Sequence, residues 1–153
     1  MTPRERLAEW GIELPAPPPP KGAYIPYRWC GDQLWISGAT ARRPGIPGLR
    51  GIVGADVTID QAADQARLAA LNLLGAVDAA AGLDAVRGLV HLRGYVRATS
   101  EFDDHPVVID GASQLMLEVL GTDRGAHART AIGVASLPGG ACVELELVAA
   151  IDR

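Results

Sequence analysis

The sequence is short of the residues on which metal, redox or membrane chemistry would rest. Cysteine occurs twice, as Cys30 and Cys142. Neither has metal-ligand spacing and both sit in apolar runs, which predicts reduced, buried thiols rather than a disulfide or a zinc site. The three histidines, His91, His105 and His127, lack ligand spacing and a paired acid, and read as ordinary surface or helix-cap residues. No glycine run has the spacing of a phosphate-cradling loop. No apolar stretch is long enough for a bilayer, and no basic segment followed by an apolar one opens the sequence. The expectation is a soluble cytoplasmic protein with no metal, nucleotide cofactor or membrane partner. A net charge of -4 also disfavours nucleic acid as a partner and leaves a small molecule as the better candidate.

What is present suits one domain, since 153 residues can bury a real core. Residues 3 to 10 predict a short helix with Leu7 and Trp10 on one side, ended by Gly11. The run from Pro15 to Pro20 cannot be helix and is expected as a polyproline II spacer over the surface. The chain therefore divides into an N-terminal helix with a Pro-rich extension, 1–21, and a body, 22–153. Strand-like runs from Ala23 to Ala39, containing Tyr24, Tyr27, Trp29, Trp35 and Ile36, flank Gly31-Asp32 and read as a hairpin. Arg43 to Gly54, rich in Gly and Pro, reads as a long loop of the kind used as a lid or interface. Thr58 and Gln61 form a capping box. Ala63, Ala66, Ala70, Leu73, Leu74 and Val77 follow at helical spacing, and Gly82 stops the helix. From Val86 to Ala98 the period is two: Val86, Val90, Leu92 and Val96 face a core, while Arg87, His91, Arg93, Tyr95 and Arg97 face away. Asp103 or Asp104 caps a second helix ending near Gly121.

The segment from Arg129 to Glu146 carries the most chemistry. Alternation puts Thr130, Ile132, Val134, Val143, Leu145 and Leu147 on one face, and Arg129, Ala131, Gly133, Glu144 and Glu146 on the other. If Pro138-Gly139 are the turn of a hairpin, Gly133 falls opposite Glu144 and Arg129 lies about 13 Å from Glu144. The order β-β-α-β-α-β-β then gives a sheet with two helices on one face. Its open face holds Arg93, Arg97, Arg129, Glu144 and Glu146, a surface that another subunit would complete. Two uses of Arg129 and Glu144 stay open, a binding site or an interface ion pair, while Glu146 reads as structural or solvated. The basic stripe Arg87, His91, Arg93 and Arg97 has no interleaved aromatics and suits acidic partners across subunits better than RNA.

Several motifs occur together in a fixed order: Gly-Ala-Tyr-Ile-Pro around Tyr24, Ser37-Gly38, the helical segment Gln65 to Asn72, Phe102-Asp-Asp, Arg129-Thr-Ala-Ile-Gly-Val-Ala-Ser-Leu-Pro, and Val143-Glu-Leu-Glu146. With them the chain resembles the Rid family (RidA/YjgF-like, L-PSP endoribonuclease-like) over roughly residues 22 to 151. Arg4 to Pro15 resembles the N-terminal segment of a longer RidA-like subgroup. The resemblance implies an α+β, chorismate-mutase-like fold assembled as a homotrimer with clefts between subunits. It implies hydrolysis of reactive enamine or imine intermediates to 2-oxo acids and ammonia, with Arg129 holding the substrate carboxylate and Glu144 directing water. Tyr24, Ser37 and Gly38 match positions lining the same cleft, and Asp110, the fifth substrate-binding position that the resemblance implies with Arg129, stands where the family commonly has asparagine.

The residue chemistry suits these roles. A guanidinium grips a carboxylate through two parallel hydrogen bonds, and a carboxylic acid with a raised pKa can both protonate nitrogen and orient water. Ala131 and Ala39 replace a cysteine and a glutamine frequent in deaminating members, and Asp110 adds a carboxylate. These departures motivate a second reading, a non-catalytic trimer that binds small carboxylates.

Overall fold

Local capping chemistry fixes the longest element. In the structure, a computed structural model describing residues 1–153, the Thr58 hydroxyl accepts from the Gln61 amide at 3.1 Å and the Gln61 side chain accepts from the Thr58 amide at 3.0 Å. Two donors that the first helical turn would leave orphaned are thereby satisfied. The helix that follows, α2, spans Ile59–Ala81 and stops at Gly82. Helix α3 spans His105–Leu120, with Asp104 as N-cap and Gly121 at its end. Two short helices complete the set, α1 at Pro3–Glu9 and α4 at Thr122–Gly125. Leu7 of α1 is buried, but Trp10 is 42% exposed, because the helix has already ended at Glu9. The Pro-rich segment crosses α2 so closely that a Cβ on Gly75 would collide with the Pro15 carbonyl oxygen.

Five strands form one sheet in the order β1-β2-β5-β3-β4. Their ranges are β1 Tyr27–Cys30, β2 Gln33–Ala39, β3 Val86–Arg97, β4 Ala128–Val134 and β5 Val143–Ile151. Only the β3–β4 pair is parallel. Helices α2 and α3 pack side by side against one face, where Leu34, Leu92, Val96, Leu145 and Leu147 meet Leu73, Leu74, Ile109 and Leu115 in a single core. The fold is α+β with a mixed sheet, as expected.

The expected hairpin between β4 and β5 does not exist. Strand β3 lies between them, with Tyr95 paired to Ile132 on one side and Glu144 on the other. The physical reason lies in chain order. A parallel pair needs a crossover connection, usually a helix, and α3 occupies that place between β3 and β4. Pro138–Gly140 forms a short 3-10 turn instead of a hairpin tip.

The facing of β4 is also the reverse of the expectation. Arg129 is in register with buried Leu92, and its guanidinium bonds to Asp110 and Ser113 on α3, so Arg129, Ala131 and Gly133 face the helices. Ile132 faces out and is 43% exposed. An edge strand buries little on either side, so its alternation does not say which side is in. In β3, a register shift between Leu89 and His91 buries Leu89 and leaves Val90 38% exposed, contrary to strict alternation. Cys142 is buried but Cys30 is exposed, and both are free thiols.

Candidate functional site

Glu144 reaches the open face because its neighbours in β5 cannot. Val143, Leu145 and Leu147 are 2%, 0% and 1% exposed on the helix side, and a strand's alternation sends Glu144 and Glu146 the other way. The two glutamates then differ. Glu146 accepts from Arg93 Nη1 at 2.6 Å and from the Tyr95 hydroxyl at 3.1 Å, a structural arrangement within the chain. Glu144 takes part in none of the ion pairs. Burial pushes its carboxyl pKa up, and the Glu146 charge beside it pushes the same way.

Opposite Glu146, two residues along β5 from Glu144, the second strand is interrupted. Between the pairs Ile36–Leu147 and Ala39–Leu145, Ser37 and Gly38 stand against Glu146 alone, a bulge of the kind that re-aims side chains near sites. The Ser37 hydroxyl donates to the Ile25 carbonyl at 2.6 Å, and its amide donates to the Pro26 carbonyl at 2.9 Å. These bonds hold the Tyr24–Pro26 bend, and Tyr24 lies outside any strand. A Cβ on Gly38 would stand 3.0 Å from Glu144 Oε1, so glycine leaves that carboxylate room.

Strand β1 pairs with β2 only as far as Ile36, and a cavity of about 430 Å³ opens beside the uncovered end. It brings together Tyr24, Ser37, Gly38 and Glu144. It does not contain Arg129 or Asp110. Those two meet elsewhere, Arg129 Nη1 lying 2.7 Å from Asp110 Oδ1 and 3.1 Å from Ser113 Oγ. With Arg129 level with Leu92 and Glu144 level with Tyr95, the two Cα atoms are about 14 Å apart and their side chains leave opposite faces. One protomer therefore does not bring Arg129 and Glu144 together.

The cavity also holds residues that the sequence reading passed over. Pro17 to Pro20 form a wall rather than a plain spacer, and Lys21, Arg42 and Arg50 add positive charge. Asn72, the one polar residue among those buried in the core, donates to the Thr40 and Arg42 carbonyls at 2.7 and 3.0 Å. An amide flanked by Leu71 and Leu73 on an apolar helix face was the available signal. The loop read as a lid or interface supplies Pro47 and Arg50. Of the basic stripe, Arg87 pairs with Asp32 and Asp152, and Arg93 with Glu146, within the chain. None of the histidines lines the cavity. No helix is long and apolar enough to cross a membrane.

Comparison with known proteins gives concordant matches. The model of the family described as "YjgF/chorismate_mutase-like, putative endoribonuclease" matches residues 4–150. Protein TCP17 of Trypanosoma cruzi is 37% identical over 148 residues, covering 96% of this chain and 92% of that protein. The crystal structure of Atu1372 from Agrobacterium tumefaciens superposes with a TM-score of 0.90 at 38% identity, covering 98% of this chain and 92% of that one. Escherichia coli TdcF, solved with bound serine, superposes with a TM-score of 0.64 at 26% identity, covering 92% of this chain and 96% of the other.

Proposed function

The chain belongs to the YjgF/chorismate-mutase-like family, and from that premise we propose that it hydrolyses reactive enamine or imine intermediates to 2-oxo acids and ammonia in clefts between the subunits of a homotrimer. The observation that carries this reading is the Glu144 carboxyl, half-buried on a cavity wall without an ion-pair partner and with its pKa raised by burial. A protonated Glu144 donates to the imine nitrogen and, as the carboxylate, takes a proton from the water that adds to the imine carbon. It passes that proton to the amine nitrogen, the carbon–nitrogen bond breaks, ammonia leaves, and the hydroxyl proton of the new carbonyl returns to Glu144. The carboxylate of the substrate binds Arg129 of a neighbouring subunit, which supplies from an edge strand what the cavity's own protomer holds about 14 Å away. Trp35 and Ile132, 52% and 43% exposed on the open face, support self-association there. The serine held by TdcF supports a small amino- or oxo-acid as the ligand class.

The test is ammonia release from imines generated in situ by an amino-acid oxidase. Wild-type protein accelerates it and Glu144→Gln does not; no acceleration across several amino acids overturns the proposal. A second reading rests on the Arg129–Asp110 pair and on Ala131 and Ala39: a trimer that binds small carboxylates without turnover. Calorimetry showing 2-oxo acid binding by a protein that releases no ammonia would select it.

A further inference from the structure

Lys21, Arg42 and Arg50 line the cavity, and none takes part in an ion pair, although Arg4, Arg67, Arg87, Arg93 and Arg129 all do. A second recess shares Lys21 and Arg42 with the first and adds Arg43. Arg43 Nε and Nη2 are buried without a hydrogen-bond partner, an arrangement that costs free energy. Three cations thus share one cavity with a single carboxylate, Glu144, and a fourth lines the adjoining recess, in a chain whose net charge is -4. Such a concave surface lined by one sign of charge focuses the field on an anion.

The backbone that carries these cations is pinned. Asn72 holds the Arg42 carbonyl at 3.0 Å. Arg43 and Ile46 exchange backbone bonds of 2.8 and 2.9 Å. Leu49 donates to the Gln65 side chain at 2.7 Å, and Gly51 donates to the Gly140 carbonyl at 3.2 Å. The Arg50 guanidinium lies against Gly140, where a Cβ would stand 3.0 Å from its Nε. Positions fixed before binding lose little freedom when a ligand arrives.

We infer that Arg42 and Arg50, with Lys21 beside them, form a second anion anchor, so that the ligand is a 2-oxo or 2-imino acid bearing two carboxylates. The inference rests on the proposed site: one carboxylate meets Arg129 of the neighbouring subunit, the reacting carbon faces Glu144, and the distal carboxylate meets Arg42 and Arg50. Arg43 raises the potential there from the adjoining recess. A volume of about 430 Å³ exceeds what a serine-sized ligand fills and leaves room for the longer chain.

Calorimetry on the full-length protein with 2-oxobutanoate and 2-oxoglutarate tests it. Wild type should bind the dicarboxylate at least about tenfold more tightly, the worth of one or two charge-assisted hydrogen bonds. Arg42→Gln/Arg50→Gln should lose that preference, its affinity falling more for 2-oxoglutarate than for 2-oxobutanoate. The single variant Arg50→Gln, whose backbone bonds are untouched, should show part of the same loss. Equal wild-type affinity for the two acids, or a preference that survives the double substitution, overturns the anchor. Turnover of imines without the preference removes the anchor and leaves the hydrolase; the preference without turnover removes the hydrolase and leaves the anchor. Binding of neither acid overturns both.

Discussion

Arg129 and Glu144 occupy opposite faces of one sheet, with β3 between their strands. The guanidinium rests on α3 against Asp110, while the carboxylate opens into the cavity beside β2. Within one copy of the chain the two side chains do not meet.

Asp110 competes with any incoming carboxylate for Arg129. Their side chains are 51% and 23% exposed, so the pair contributes at most about 1 kcal/mol to stability. Asp110→Asn should leave the melting temperature nearly unchanged and lower the Kd for 2-oxobutanoate by roughly threefold or more, since removing the acid frees a charged donor. Unchanged affinity by calorimetry would mean that Arg129 does not bind the ligand.

Glu144 makes folding pH-dependent in a definite sense. Its pKa is raised in the folded protein above the ordinary 4.5, so the folded state holds the proton more tightly than the unfolded one. Its contribution therefore falls as pH rises from 4.5 through the folded pKa, and is at its least favourable above that. Glu144→Gln should raise the melting temperature at neutral pH, with the gain fading as pH falls through the folded pKa and gone below 4.5. The same variant should lose imine hydrolysis. In wild type, that activity should decline as pH rises through the folded pKa of Glu144, because the acid form donates the proton.

Gly38 tests the room around that carboxylate. A Cβ 3.0 Å from Oε1 requires the Glu144 carboxylate to give by a few tenths of an ångström. Since the end of a side chain yields easily, Gly38→Ala should cost little stability but lower kcat about tenfold or more through misplacement of the acid. A variant with wild-type kcat would show that the Glu144 rotamer is immaterial.

Asn72 ties the loop to helix α2. Replacing it with Leu leaves the Thr40 and Arg42 carbonyls without their donor, at a cost of about 1–3 kcal/mol. Denaturant unfolding should show that loss, and KM should rise as the loop carrying Arg42 loosens. An unchanged midpoint would show that the carbonyls find other donors.

Much of the fold was legible because it is written locally. The Thr58–Gln61 box, the stops at Gly82 and Gly121, and the Gly31-Asp32 turn each follow from bonds within a few residues. Strand pairing was not, since alternation states which residues share a face and not which strand lies beside it. Arg129 and Glu144 therefore fell on one face in the sequence and lie on two in the structure. At the site, Glu144, Tyr24, Ser37 and Gly38 were named from the sequence and line one cavity. Arg42, Arg50 and Lys21 were not, because unpaired cations in a Gly- and Pro-rich loop look the same as solvated ones until the loop is placed. Asn72 was the exception that could have been found, a polar residue on an apolar helix face.

The central claim, that each site takes Arg129 from one subunit and Glu144 from another, is tested by mixing two inactive proteins. Arg129→Ala and Glu144→Gln, each without imine-hydrolysing activity alone, are unfolded together, refolded and assayed for ammonia release. Random trimers assemble an intact pair at about one site in four, so the mixture should recover about a quarter of wild-type activity. Recovery of none, from mixed trimers verified by mass, would contradict the account.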